Sequence, residues 1–113
     1  MHELSLAMEV VELAAREAQK HGVSRILEME IDVGDLSGVD AETFQSALEM
    51  VVGNTLLEKT LIRVMCKPGR GVCSDCNEEF EMRERLSRCP LCNGFPSEIS
   101  GGEEFRVVSL VAE

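Results

Sequence analysis

Four cysteines fall into two Cys-x-x-Cys pairs, Cys73/Cys76 and Cys89/Cys92, with twelve residues (77–88) between the pairs. This spacing constrains the chain more than any other feature. A Cys-x-x-Cys turn brings two sulfurs close enough to share one ion, and two such turns at the ends of short hairpins complete a tetrahedron. Asn follows each pair (Asn77, Asn93), where the chain leaving a metal knuckle needs a left-handed residue that Asn tolerates. Gly94 is expected to add the same freedom, and Pro90 to stiffen the second knuckle. Tetrahedral sulfur suits zinc and iron alike. Zinc is favoured because all four ligands are protein and no position stays open for catalysis. The fifth cysteine, Cys66, lies in a strand pattern outside both knuckles and is expected to be a small buried hydrophobe.

The segment around the pairs, residues 69–100, holds few apolar side chains. It cannot bury enough surface to offset its own ordering entropy, so it is expected to fold around its metal. The rest of the chain has regular periodicity. Residues 4–21 place Leu6, Val10, Leu13 and Ala14 on one helical face, with Lys20 and His21 in the last turn and Gly22 as the stop. From Leu27 the period becomes two, with Met29, Ile31 and Val33 alternating with Glu28, Glu30 and Asp32. Asp40 is placed to cap a second helix whose stripe is Phe44, Ala47, Leu48, Val51 and Val52. A second strand is expected over residues 60–66 and a third over 105–112. The predicted fold class is α+β: two helices on a small sheet of about three strands, with an inserted zinc-ribbon or knuckle domain. Residues 1–67 plus 101–113 form one domain and 68–100 the other.

Composition excludes several functions. The formal net charge is −10 and aromatic residues are only 4% of the chain, with no Trp and no Tyr. Nucleic acid and anionic membranes would repel such a chain unless its basic residues were clustered. Arg83, Arg85 and Arg88 lie close together, but Glu78, Glu79, Glu81 and Glu84 interleave with them. No apolar run approaches the ~20 residues needed to span a bilayer, and no signal peptide is read at the N-terminus. Five cysteines without a secretion signal point to a reducing, cytoplasmic setting and to metal rather than disulfides. There is no histidine among the cysteines, no nucleophile–base pair and no phosphate loop, so a catalytic role is the weakest reading. A zinc-ribbon adaptor without metal delivery and a rubredoxin-like electron carrier both remain compatible with the cysteine motif.

The chain opens Met1-His2-Glu3. An α-amino group, neighbouring backbone nitrogens and an imidazole can close several chelate rings on one ion, the nitrogen-rich planar set that Ni(II) or Cu(II) prefers. Met1-His2-Glu3-Leu4-Ser5, the Val33-Gly34-Asp35-Leu36-Ser37-Gly38-Val39 loop, Leu48-Glu49 and the paired knuckles with Cys89-Pro90-Leu91-Cys92 occur in that order. Together they resemble the HypA/HybF family of hydrogenase nickel-insertion accessory proteins, over the whole chain. The resemblance implies a non-enzymatic nickel metallochaperone. It implies Ni(II) held by the Met1 amine, backbone nitrogens and the His2 side chain, with Glu3 contributing its backbone or supporting the site. Zinc would sit on Cys73, Cys76, Cys89 and Cys92. The implied partners are a nickel-insertion GTPase (HypB-like) and the large subunit of nickel–iron hydrogenase, with urease served by some members. A homodimer is left open. Some archaeal members supply a further histidine from an extended zinc domain. This chain has only His2 and His21, and His21 is read as a partner of the helix dipole.

Overall fold

The computed structural model describes residues 2–113. Its elements are α1 (His2–His21), β1 (Ile26–Gly34), α2 (Ala41–Val51), β2 (Leu61–Lys67), β3 (Gly69–Cys73), β4 (Glu79–Met82), β5 (Pro96–Gly101) and β6 (Phe105–Ala112). They build two three-stranded sheets, ordered β2-β1-β6 and β4-β3-β5. The α+β expectation is met, with a second sheet that periodicity did not announce. The chain divides into two compact units. One takes the chain through Ile31, Asp40–Met65 and Arg106–Glu113; the other takes Asp32–Val39 and Cys66–Phe105.

In the first unit, α1 begins at His2, two residues before the periodic pattern placed it. Its buried residues are Ala7, Val10, Ala14 and Ala18. Val10 and Ala14 belong to the expected stripe, whereas Leu6 and Leu13 are half-buried flanks. Small side chains on the core face let α2 approach α1, against which it packs. Gly22 ends the helix at φ 65°, and Val23 N–H reaches back to the Ala18 carbonyl at 3.0 Å, the closure expected of a left-handed stop. Asp40 caps α2 through a carboxylate oxygen that accepts the Thr43 N–H at 2.9 Å, and Phe44, Ala47 and Leu48 are buried. Met29 and Ile31 of β1, Phe44 and Leu57 are among the fully buried side chains. At the start of β1 the alternation fails. Ile26 is buried and Leu27 exposed.

The second unit holds what the sequence reading left without regular structure. β3 pairs antiparallel with β4, setting Gly71 opposite Phe80 and Gly69 opposite Met82, and also with β5. Leu36, Cys73, Phe80, Met82 and Cys89 form its core, with Ile99 packed against them. Periodicity missed these strands because each is short and its central partner, Gly69–Cys73, carries glycine where a strand pattern needs a side chain. Those glycines are required by contact. A Cβ on Gly71 would strike the Met82 sulfur, and one on Gly102, already at φ 90°, would stand 2.7 Å from the Pro68 carbonyl oxygen.

Cys66 corrects the sequence reading, because it is exposed. It is the penultimate residue of β2, an edge strand, where alternation alone does not guarantee cover.

Candidate metal sites

The two knuckles share one hydrogen-bond plan. In the first, Cys73 N–H donates to the Glu78 carbonyl at 2.9 Å and Asn77 N–H to the Cys73 carbonyl at 3.0 Å. In the second, Cys89 N–H donates to the Gly94 carbonyl and Asn93 N–H to the Cys89 carbonyl, both at 2.8 Å. Asn77 and Asn93 sit at φ 59° and 64°, the left-handed conformation their positions suggested. Gly94 does not share it, and its requirement is spatial. A Cβ there would lie 2.6 Å from an Asp75 carboxylate oxygen and 3.0 Å from the Cys73 sulfur. The knuckles are tied together by Ser74, whose N–H and hydroxyl both donate to the Phe95 carbonyl at 3.0 Å.

This scaffold brings the four thiols together. Cys73 and Cys92 sulfurs are 3.3 Å apart, Cys76 and Cys89 sulfurs 3.7 Å apart, and all four lie within 4.8 Å of one another. A tetrahedral ion with metal–sulfur bonds of about 2.3 Å needs sulfurs about 3.8 Å apart, so the four sulfurs bracket the spacing of a tetrahedral thiolate site such as zinc takes. Cys73 and Cys89 are buried, while Cys76 and Cys92 are exposed. The Cys73 thiol is lowered to about 7, first by the Cys76 N–H aimed at its sulfur and further by the Asp75 N–H. The adjacent Cys73 sulfur pushes Cys92 up to about 12. Thiolates packed this closely repel one another, and a cation at the centre would let all four ionise together.

The second donor group lies at the start of α1. Met1 lies outside the described residues. The His2 imidazole is exposed, and its Nδ1 lies 3.8 Å from a Glu3 carboxylate oxygen. Glu3 is more enclosed, and that same oxygen accepts the Asp40 N–H at 3.1 Å. The Asp40 N–H, with Glu3's own N–H and the His2 ring as lesser contributors, holds the Glu3 carboxyl below its ordinary value. No sequence signal joins Glu3 to Asp40, because they are far apart in the chain and each reads locally as a helix-start residue. The first N–H groups of a helix have no intrahelical partner. Positions 2 and 3 therefore combine an imidazole, amide nitrogens without helical partners and a fixed carboxylate. His21 stands at the far end of α1, with Nε2 3.4 Å from a Glu17 carboxylate oxygen, and Cys66 is not part of the thiol cluster.

A family model described as hydrogenase/urease nickel incorporation, metallochaperone, hypA matches residues 1–112. The hydrogenase maturation factor HypA of Parabacteroides distasonis is 40% identical over 111 residues, covering 98% of this chain and 96% of the relative. That of Geobacter metallireducens is 36% identical over 113 residues, covering 100% of both chains. Hydrogenase maturation factor HybF of Escherichia coli is 31% identical over 113 residues, again covering 100% of both. Among solved structures, the Ni metallochaperone HypA from Helicobacter pylori matches with a TM-score of 0.65 at 23% identity, covering 97% of this chain and 96% of that one. A second solution structure of a HypA protein matches at 0.67 and 24%, covering 100% and 97%. At these identities the two structures establish likeness of fold.

Proposed function

The chain belongs to the HypA family of nickel-incorporation metallochaperones, which are maturation factors and not enzymes, and on that premise we propose that it carries Ni(II) at its N-terminus and hands it to a hydrogenase. The ligands are the Met1 amine, backbone nitrogens of the first turn and the His2 imidazole. Glu3 supports them from beside the ring. Zinc is held separately and structurally by Cys73, Cys76, Cys89 and Cys92. The domain taking residues 1–67 and 101–113 is the nickel carrier, and residues 68–100 are the zinc domain.

The observation that carries the reading is the placement of His2 in the first turn of α1. There its imidazole is exposed and the neighbouring amides are free of helical hydrogen bonds. Soft thiolates suit zinc and nitrogen suits nickel, so the two donor sets sort the two ions. Delivery requires a partner within reach of the terminus. The HypB-like GTPase would approach the α1 side, where Glu9, Glu12 and Glu17 lie, and the large subunit of nickel–iron hydrogenase would receive the ion. The setting we infer is the cytoplasm. Among the described residues no helix is long and apolar enough to cross a membrane.

Nickel titration of the untagged protein tests this. A one-to-one complex is expected, with affinity rising between roughly pH 6 and pH 8 as the amine and imidazole shed protons. His2→Ala, or an extra residue ahead of Met1, should abolish it while zinc content and helicity stay unchanged. Tight one-to-one binding that persisted in His2→Ala would place the site elsewhere.

A further inference from the structure

In the second unit, the loop from Arg83 to Phe95 displays three large apolar side chains to solvent. Leu86 is 76% exposed, Leu91 74% and Phe95 50%. Single exposed leucines are ordinary, but three such residues within ten positions of the chain form a concentration that needs an account. They are not surplus core, because the unit's core is already filled by Leu36, Phe80, Met82, Ile99 and the two buried cysteines.

Each of the three is also held on fixed backbone. Leu86 sits in a turn where the Ser87 hydroxyl accepts the N–H groups of Arg83 at 3.3 Å and Glu84 at 3.2 Å. Leu91 stands at the tip of the second knuckle, closed by the Asn93-to-Cys89 bond at 2.8 Å. The Phe95 carbonyl takes both Ser74 donors. Side chains presented this way lose little further backbone freedom on contact, which is the advantage of preorganisation in binding.

Within positions 83–95 the charge is the reverse of the chain's, with Arg83, Arg85 and Arg88 against one glutamate, Glu84, on a protein of net charge −10. Glu78, Glu79 and Glu81 precede this stretch in the sequence, and the Asp75 carboxylate stands against Gly94. Arg85 is engaged by the Leu36 carbonyl and Glu103, both at 2.9 Å. Arg88 lies over the Phe95 ring, 4.3 Å from its centroid. A guanidinium stacked on an aromatic face keeps its donor edge free for a carboxylate and is already oriented to receive it.

We propose that the Arg83–Phe95 loop is a docking surface for an acidic protein segment that carries leucine-like anchors, with Arg88 pairing its carboxylates and Leu91 and Phe95 receiving its apolar side chains. Aromatic and arginine side chains at the centre of a contact carry most of its binding energy, and the acidity elsewhere on the chain turns the same partner away from other faces. This surface stands independently of the nickel reading.

The test uses the full zinc-loaded chain, with a synthetic peptide alternating Asp and Leu as probe, followed by amide chemical shifts. Perturbations are expected within residues 83–95, weakening as salt rises. Arg88→Glu and Leu91→Ser should each lower the affinity about tenfold or more with zinc content unchanged. An Asn/Leu version of the peptide should bind far more weakly. The proposal is overturned if the shifts fall elsewhere, if the Asn/Leu peptide binds equally, or if both variants bind like the parent. It is also overturned if sedimentation shows a dimer that Leu91→Ser converts to monomer, since a second copy of the chain would then be what covers the loop.

Discussion

The Glu3 carboxylate accepts the backbone N–H of Asp40 at 3.1 Å, so a residue in the first turn of α1 closes the start of α2. Asp40 in turn caps α2 through Thr43. The two carboxylates thus form a short relay, one bond long-range and one local, that joins the two helix starts beside His2.

This relay has a pH signature. The Glu3 carboxyl is lowered first by the Asp40 N–H, and the Asp40 carboxyl first by the Thr43 N–H. A depressed carboxyl contributes stability that is fully present above its unfolded value and is lost as pH falls through the folded one. Unfolded carboxyls titrate at about 4. The melting temperature should therefore be flat above about pH 5 and fall below it. Glu3→Gln and Asp40→Asn should flatten part of that fall, read by thermal melts across the acid range.

Zinc removal should divide the protein's behaviour. The second unit owes its core to four apolar side chains, worth about 1.5–3 kcal/mol each at full burial, and to two cysteines. A structural zinc site supplies about 10–16 kcal/mol in comparable small modules, so the ion is the larger contribution. Chelation, or Cys76→Ser or Cys92→Ser, should abolish the native amide shifts of β3, β4 and β5, while the helical circular dichroism from α1 and α2 largely survives. Equal loss of both signals would show that the first unit does not fold without the second.

Gly94→Ala tests the packing of the second knuckle against the first. The added methyl would press on the Cys73 sulfur and the Asp75 carboxylate. A displaced sulfur cannot meet the tetrahedron, so zinc affinity should drop in competition with a chelator while the first unit's melting is unaffected.

Gly102→Ala should be harsher. Its φ of 90° already disfavours a side chain by about 1–3 kcal/mol, and the new Cβ would meet the Gly69 backbone and the Pro68 carbonyl. Loss of soluble protein or a markedly lowered melting temperature is expected, whereas Gly38→Ala, with open space around its Cβ, should cost only its φ strain.

What could be read in advance follows from how local each determinant is. The knuckle asparagines, the Gly22 stop and the Asp40 cap each depend on a few neighbouring residues, and each is found where the sequence put it. The β3–β5 sheet was hidden because Gly69 and Gly71 are chosen for what crosses them, a fact stored in Met82, Pro96 and Gly102. Cys66 was misjudged for the same reason, since cover at an edge strand is decided by distant chain. The Glu3–Asp40 bond lay furthest from view, because neither residue departs from an ordinary helix start.

The sheet order β2-β1-β6 places the last strand in the sequence beside the first. During synthesis β1 emerges early, yet one of its edges has no partner until Phe105–Ala112 has left the ribosome. Everything between, including the cysteine knuckles, is made while that edge is open. A nascent chain therefore cannot complete its first unit before its second has been fully translated, and a message broken off ahead of Phe105 would release a protein in which β1 is paired with β2 on one side and open on the other.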